Sequence, residues 1–274
     1  MLIDYHVHSE RSGDCRAPLI EVCRMAAARG LKEICFTEHI DFDPTDSCYG
    51  TFNYALYLNQ IDEARGLFGN VMSIRCGVEI DYQDKYRSQI RDFFDGKKFD
   101  YIIGAAHYVN GIILENHNRY FPGKTASEAY MPYFDNTLAA VETGLFDCIA
   151  HLDLCKRYGV RYLGPFNWEP YRERIEEILR AVISKDMALE INTSGLRQSP
   201  KDIYPTEGIL SLYRSLGGSH ITVGSDSHKV EDVGAGVIHA LGIARNTGFN
   251  AVSVFTNRCR NELNIAEMLE ATDE

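Results

Sequence analysis

The chain begins with the segment LIDYHVHSERSGD (Leu2–Asp14), in which a short run of apolar and aromatic residues leads into a His-x-His pair. This composition predicts a β-strand over Leu2–His8. In an open, nucleotide-binding α/β sheet, the first strand is followed by a glycine-rich turn that holds the phosphate groups. Here the polar segment Ser9–Asp14 follows instead, with one glycine. This segment therefore favours a closed barrel over an open nucleotide-binding sheet.

Short β-rich segments of this kind recur along the chain and alternate with longer amphipathic stretches. Strands are predicted over Leu2–His8, Glu33–His39, Ser73–Asp81, Tyr101–Val109, Cys148–Leu154, Ala188–Thr193 and Ile221–Asp226. Helices are predicted over Pro18–Arg29, Tyr54–Phe68, Tyr86–Phe94, Ala126–Glu142, Glu169–Ser184, Thr206–Ser215 and Val237–Arg245. Gly30, Gly144 and Gly248 follow three of these helices, where a left-handed C-terminal residue is expected. Regular β–α alternation is typical of a parallel sheet with right-handed crossovers, so we expect seven β–α units in a closed barrel.

Length and composition fit one compact domain. The chain has 274 residues, of which 45% are hydrophobic and 24% charged, and an α/β barrel of about 250 residues folds as a single unit. No repeat, low-complexity tract or linker divides the sequence, so we expect one domain over residues 1–274. Two long loops, Asp41–Phe52 and Asn110–Lys124, are rich in turn-forming and aromatic residues and are predicted to cover one end of the barrel.

The charge balance argues against some classes of partner. The chain has 28 Lys and Arg against 39 Asp and Glu, a formal net charge of −11, and no basic run, which disfavours binding to long nucleic acids. It shows neither a signal sequence nor an apolar window of about 20 residues, and its eight cysteines form no C-x-x-C pair. We therefore expect a cytoplasmic protein with reduced thiols and no membrane contact. The sequence leaves the oligomeric state open.

Most of the histidines lie at the C-terminal ends of predicted strands, where barrel enzymes have their active sites. Residues two apart on a strand point to the same side, so three strands are predicted to present pairs of ligand-type side chains to the barrel mouth. These pairs are His6 with His8, His151 with Asp153, and Asp226 with His228. Single ligand-type residues end three further strands, namely His39, Glu79 and His107.

Imidazoles and carboxylates without thiolates suit zinc, manganese, iron or cobalt. The candidates outnumber what one ion can use while it keeps a position for water or substrate, so we expect two or three ions. Multi-metal sites with ions about 3.5–4 Å apart typically catalyse displacement at phosphorus. A phosphoester hydrolase is therefore the leading hypothesis. The remaining histidines, His117, His220 and His239, are interpreted as structural, although His117 could face a substrate.

Four motifs at the strand ends together resemble a known family. They are the His-x-His pair, Phe36-Thr37-Glu38-His39, Gly77-Val78-Glu79 and Ser225-Asp226-Ser227-His228. The pattern resembles the PHP superfamily, named for polymerase and histidinol phosphatase, and runs from His6 to His228 in the family's order. In length, and in segments such as Asp4–Ser9 and Ala150–Leu154, the chain is most similar to the monofunctional histidinol-phosphate phosphatases of that superfamily.

The resemblance implies a distorted (β/α)7, TIM-like barrel and a centre of three divalent metal ions, zinc, manganese or iron. Glu79 would bridge two of these ions, and Asp14 stands where some relatives have a histidine. Glu38 points the other way on its strand and is expected to orient a ligand or to be structural. The implied ligands are His6, His8, Glu79 and Asp226 for the first ion, Glu79, His107 and His151 for the second, and Asp14, His39 and His228 for the third.

The resemblance also implies hydrolysis of a small phosphomonoester, L-histidinol phosphate, in histidine biosynthesis. Arg157 and Arg197 follow two strand ends, and their guanidinium groups are the candidates for binding the phosphate oxygens and offsetting developing charge. Asp153 is expected either to pass a proton to the leaving alkoxide or to orient a ligand. The substrate's amine and imidazole need a polar rim, for which the candidates are Glu115 and His117, with Asp43 and Asp81 as weaker ones.

Three alternatives use the same residues differently. Another PHP phosphoesterase, such as a nuclease, a nucleotide phosphatase or a protein-tyrosine phosphatase, would share the metal ligands. A non-catalytic PHP module could serve as a binding partner, although every ligand position is occupied here. Metal-dependent amide hydrolysis on a similar barrel would differ in its substrate.

Overall fold

The structure is a computed structural model that describes residues 1–270. Its strands, in chain order, are β1 (Leu2–Val7), β2 (Leu31–Ile40), β3 (Ser73–Asp81), β4 (Tyr101–Ala105), β5 (Tyr108–Val109), β6 (Ile112–Ile113), β7 (Cys148–Ile149), β8 (Ala188–Asn192), β9 (Ile221–Gly224), β10 (Ala251–Thr256) and β11 (Cys259–Asn264). Seven of them form the central sheet in the order β1-β2-β3-β4-β7-β8-β9, and each neighbouring pair is parallel. The carboxyl ends of these strands therefore meet at one rim.

Backbone contacts between β1 and the segment after β9 close the sheet. The amide of Asp226 donates to the carbonyl of His6 (2.7 Å), and the amide of His8 donates to the carbonyl of Ser227 (3.0 Å). Val7 and Ser227 form a parallel bridge at the same place. The predicted distorted (β/α)7, TIM-like barrel is confirmed.

The long helices cover the outside of the barrel because each has one apolar face. In α7 (Arg172–Ser184), the buried residues Ile175, Ile178, Leu179 and Val182 follow the spacing of a helix that packs one side against a sheet. The helices are α1 (Leu19–Ala28), α2 (Tyr54–Phe68), α3 (Arg87–Phe93), α4 (His117–Tyr120), α5 (Ala126–Glu142), α6 (Lys156–Leu163), α7 (Arg172–Ser184), α8 (Glu207–Ser215), α9 (Val237–Asn246) and α10 (Ile265–Glu270). All seven predicted helices are present, and Gly30, Gly144 and Gly248 have the expected positive φ.

Three strands that lead to site residues end earlier than predicted, and this changes how their side chains reach the rim. The predicted strand Tyr101–Val109 breaks after Ala105, and its end forms a separate hairpin of β5 and β6. The predicted strand Cys148–Leu154 ends at Ile149, and His151 has a φ of 23°. The prediction that His151 and Asp153 share a strand face is therefore wrong. Asp226, with a φ of 51°, also lies beyond its strand, so it meets His228 through a turn and not through strand alternation.

The C-terminal hairpin of β10 and β11 lies at the opposite end of the barrel. Phe255 of β10 stacks on Tyr101 with ring centroids 4.8 Å apart, and its amide donates to the hydroxyl of Tyr5 (2.9 Å). Since Tyr5 and Tyr101 are buried residues of β1 and β4, the hairpin packs against the barrel away from the histidine-bearing rim. None of the helices in residues 1–270 is long and apolar enough to cross a bilayer.

Candidate metal centre

Glu79, near the C-terminal end of β3, lies at the centre of the histidine cluster and is 1% exposed. Its Oε2 is 3.1 Å from Nε2 of His6 and 3.2 Å from Nδ1 of His39. Its Oε1 is 2.9 Å from Nε2 of His151 and 3.6 Å from Nε2 of His107. One carboxylate thus faces imidazole nitrogens from four other strand ends, as a bridging ligand must.

The ligand atoms predicted for the first ion surround one point. Nε2 of His6 and Nε2 of His8 are 3.1 Å apart, and Oε2 of Glu79 lies 3.1 Å and 3.5 Å from them. Oδ1 of Asp226 lies 3.8 Å and 3.6 Å from the same two nitrogens. A tetrahedral ion with bonds of about 2.0–2.1 Å separates its ligand atoms by about 3.3 Å. The spacing fits a common ion.

The ligand atoms predicted for the other two ions also lie close together. Oδ2 of Asp14 lies 3.2 Å from Nε2 of His228 and 3.6 Å from Nε2 of His39, and those two nitrogens are 3.4 Å apart. On the other side of Glu79, the imidazoles of His107 and His151 have centroids 5.2 Å apart. All nine residues predicted as ligands therefore lie in one cluster.

Hydrogen bonds behind the cluster leave the inward nitrogens free to bind a cation. Nδ1 of His6 faces Oε1 of Glu190 (2.6 Å), and Nδ1 of His8 faces the hydroxyl of Ser12 (3.0 Å). That hydroxyl donates to Glu38 (2.7 Å), so it accepts from His8. In its neutral form, each ring therefore carries its proton on Nδ1 and turns the Nε2 lone pair towards Glu79. Two lone pairs and a carboxylate in contact favour a positive charge between them.

The pKa values of the cluster reflect its mixed charges. Burial lowers the pKa of His6, but the carboxylates of Glu190, Glu79 and Asp226 outweigh this effect and raise it well above its ordinary value, so a metal ion that binds here displaces a proton from the ring. Burial lowers the pKa of His8 well below its ordinary value, and the imidazoles of His228 and His39 lower it further. Burial raises the pKa of Glu79, but the neighbouring His6 and His39 outweigh this effect and hold it well below its ordinary value. A neutral imidazole beside an ionised carboxylate is the state that binds a divalent cation. The chemistry of the donor set therefore fits the predicted metal ions.

A cavity of about 520 Å³ opens over the cluster. The predicted phosphate ligands Arg157 and Arg197 line it, as does Glu115. Arg197 is anchored by Nη2 to the carbonyl of Ser225 (2.6 Å) and by Nε to Asp232 (3.4 Å), while its buried Nη1 has no hydrogen-bond partner among residues 1–270. This free donor suits an oxygen of a bound anion. Residues of both predicted loops also form the wall, namely Asp41, Asp46, Ser47, Cys48, Ile113, Leu114 and Glu115.

Other candidate residues lie away from the cavity wall. Asp153 is fully buried, and its Oδ2 contacts Nζ of Lys156 (2.9 Å) and accepts from the amide of Thr206 (3.0 Å). His117 begins α4, where Nδ1 contacts the hydroxyl of Tyr162 (2.7 Å) and Nε2 contacts Arg161 (3.1 Å). Of the two weaker candidates, Asp43 binds Lys85 (2.6 Å) and Asp81 accepts from the amide of His107 (2.9 Å). The structure does not bring these four residues to a substrate in the cavity.

The comparisons with known proteins agree with this geometry. The model of the PHP domain family matches residues 4–194. The chain belongs to the PHP family. A histidinol-phosphatase of Lactococcus lactis is 31% identical over 255 residues, which is 93% of this chain and 94% of that protein. A probable histidinol-phosphatase of Clostridium acetobutylicum is 28% identical over 255 residues, 92% of this chain and 96% of that protein.

A solved PHP structure is similar over nearly the whole chain. It is the histidinol phosphate phosphatase of Lactococcus lactis in complex with zinc, L-histidinol and phosphate, with a TM-score of 0.86 and 30% identity. The match covers 95% of this chain and 98% of that one. The barrel and the order of its strands are therefore those of a PHP phosphatase.

Glu190 of β8 is a residue of this PHP site that sequence reasoning missed. It is 1% exposed, and besides Nδ1 of His6 it receives the backbone amide of His151 (2.9 Å). Asn192 joins it to Asp226, since Nδ2 of Asn192 lies 3.1 Å from Glu190 and 3.3 Å from Asp226. The available signal was a carboxylate inside the apolar strand Ala188–Asn192. Glu38 plays the corresponding part for His8 and His39 through Ser12, whose hydroxyl accepts from the amide of His39 (3.0 Å).

We expect Glu190→Gln to weaken zinc binding by about 10- to 100-fold, because partners of this kind fix the orientation and basicity of metal-ligating histidines. Competition with a chromogenic chelator measures the change. The matched control is Glu33→Gln, which alters a buried carboxylate on β2 that binds Arg75 (2.9 Å) away from the cluster. Equal zinc affinity in the wild type and Glu190→Gln would contradict the assigned role.

Proposed function

We propose that this protein hydrolyses L-histidinol phosphate to L-histidinol and phosphate, a step of histidine biosynthesis. The observation that carries the proposal is a single cluster of nine imidazole and carboxylate side chains, seven of which line one cavity together with Arg157 and Arg197, while His6 and His8 are buried beside them. Relatives of similar length that are named histidinol-phosphatases support the same substrate. Three divalent ions, zinc, manganese or iron, are the proposed cofactor, held by His6, His8, Asp14, His39, Glu79, His107, His151, Asp226 and His228.

When bound, such ions polarise phosphoryl oxygens and lower the pKa of a coordinated water towards 7. The chain's own residues bind and orient the substrate. Arg197, with a free Nη1, and Arg157 donate to the phosphate oxygens and stabilise the charge that develops on them.

The cavity wall also suits the organic part of this substrate. Asp41, Asp46 and Glu115 line the cavity, and the ammonium and imidazole groups of histidinol phosphate are cationic or hydrogen-bond donors. Burial and the neighbouring Asp81 and Asp46 raise the pKa of Asp41 well above its ordinary value, so a cation beside it would favour its ionised form. Nucleoside monophosphates would present an uncharged sugar and base to the same wall and would gain no ion pair there. We therefore expect preference for a small amino-alcohol phosphate.

A panel of phosphomonoesters tests the proposal. We expect histidinol phosphate to give the highest kcat/KM, exceeding nucleoside monophosphates and phosphotyrosine by about 100-fold or more, equal to about 3 kcal/mol of discrimination. Activity should disappear on chelation and return with zinc or manganese. Preference for phosphotyrosine or for a nucleotide would assign the protein to another branch of the family. No turnover of any ester by metal-loaded protein would favour a non-catalytic PHP module.

A further inference from the structure

Lys156, the first residue of α6, is a buried cation that the proposed reaction does not use. Its side chain is 1% exposed and does not line the cavity. Nζ lies 2.9 Å from Oδ2 of Asp153, 2.8 Å from Oδ2 of Asp202 and 2.7 Å from the carbonyl of Ile203. Three acceptors match the three N–H groups of an ammonium, so the charge is fully paired. A paired cation at this depth fixes the elements that carry its partners.

These partners join two loops of the barrel rim. Asp153 lies in the turn between β7 and α6, two residues after the ligand candidate His151. Asp202 and Ile203 lie in the segment that follows β8, and Asp153 also accepts from the amide of Thr206 in that segment (3.0 Å). Backbone hydrogen bonds between Asn192 and Tyr204 (2.7 Å and 2.9 Å) hold the segment to the end of β8.

Each of the joined loops carries one of the two arginines of the cavity. Arg157 follows Lys156 in α6, and no carboxylate within residues 1–270 pairs with its guanidinium, which lies over the ring of Tyr158 at 5.0 Å. Its position therefore depends on how the first turn of α6 is held. Arg197 follows Gly195, where a Cβ atom would lie 2.0 Å from the carbonyl of Asp202. The segment that Lys156 binds is thus packed directly under the Arg197 loop.

We propose that the ion cluster of Lys156, Asp153 and Asp202 is a positioning device that holds Arg157 and Arg197 at the separation required to bind one phosphate group. The inference rests on the proposed phosphatase function, because it assumes that both arginines bind the substrate's phosphate. It gives Asp153 a role that differs from proton transfer. The carboxylate acts through Lys156 on the arginines and does not touch the substrate.

Asp202→Ala is the main test, since the Asp202 side chain is 41% exposed and its loss leaves Lys156 paired with Asp153. We expect KM for histidinol phosphate and the inhibition constant of inorganic phosphate each to rise about tenfold, with kcat changed by less than about threefold and zinc content unchanged. The control is Asp135→Ala, which removes an exposed carboxylate paired with Arg174 (3.1 Å). A second variant, Asp153→Asn with Lys156→Met, removes the buried charges together and should give the same pattern.

A double-mutant comparison separates positioning from a general structural effect. In an Arg157→Ala background, Asp202→Ala should raise KM by less than about threefold, because with Arg157 absent there is no longer a separation between the two arginines for the ion cluster to set. A full tenfold effect in that background, or loss of zinc or of kcat in place of a change in KM, would overturn the inference. If the wild type cleaves no phosphomonoester, the proposed function fails instead. Normal wild-type turnover with unchanged KM in Asp202→Ala refutes the ion cluster's role alone.

Discussion

Glu79→Gln is expected to lower kcat/KM for histidinol phosphate by at least about a thousandfold, equal to about 4 kcal/mol of transition-state stabilisation. Both oxygens of Glu79 face imidazole nitrogens, Oε2 towards His6 and Oε1 towards His151. An amide keeps the shape but replaces one anionic oxygen with an NH2 group, which cannot bind a cation. Steady-state kinetics on protein loaded with zinc measures the loss.

Metal content should fall together with activity in Glu79→Gln. Because Glu79 is the predicted shared ligand of two ions, we expect elemental analysis to find fewer bound ions per chain than in the wild type. Glu33→Gln is the control, since Glu33 is a buried carboxylate on the neighbouring strand β2 that binds Arg75 and Tyr5 outside the cluster. An active Glu79→Gln enzyme with full zinc content would refute the bridging role.

The fold could be predicted largely from the sequence because its elements repeat a simple pattern. Each barrel strand is a short apolar run, and each long outer helix has one apolar face. The spacing of the apolar residues along the sequence therefore identifies both kinds of element. The short helix His117–Tyr120 and the helix Lys156–Leu163 were missed, because the first has four residues and the second carries three charged side chains around Gly159. The C-terminal elements β10, β11 and α10 were not predicted either, since they lie outside the β–α alternation. The strand that begins at Cys148 was predicted to extend to Leu154 but ends at Ile149, because the apolar composition continues into the following turn.

The clustering of the nine predicted metal ligands could be expected from the sequence because strand ends converge whatever the details of the loops. The prediction for Asp153 was made from strand alternation, and it failed where the strand had already ended at Ile149. Glu190 could not be distinguished from an ordinary strand residue, since its partners His6 and His151 are far away in sequence. Residues that act through contacts across the barrel can be recognised only from the three-dimensional structure. Residues at strand ends can be recognised from the sequence pattern alone.

Acidic composition and binding of a phosphate are compatible in this arrangement. The net charge of −11 is spread over the chain, while the cavity concentrates imidazoles and two arginines at one rim. Carboxylates in the cluster, Asp14, Glu79 and Asp226, face imidazoles and would face cations when the site is loaded. The field that a phosphate meets is therefore set by local cations and not by the whole chain.

Arg197→Ala is expected to lower kcat/KM for histidinol phosphate by about 100- to 1000-fold, equal to about 3–4 kcal/mol. The guanidinium is fixed by the carbonyl of Ser225 and by Asp232, and its Nη1 is left without a partner, so it is preorganised to donate to an anion. A preorganised donor stabilises charge that grows in the transition state without the cost of reorientation. Both kcat and KM should change, and inorganic phosphate should inhibit the variant more weakly.

Arg161→Ala is the matched control for this variant, because Arg161 lies on α6 beside His117 and does not line the cavity. It should retain wild-type kcat/KM. Added guanidinium ion should restore part of the activity of Arg197→Ala and leave Arg161→Ala unchanged, since only the first variant has an empty space where the side chain contacted phosphate. Retention of wild-type kcat/KM by Arg197→Ala would remove this residue from phosphate binding and leave the recognition of the ester to the metal cluster and Arg157.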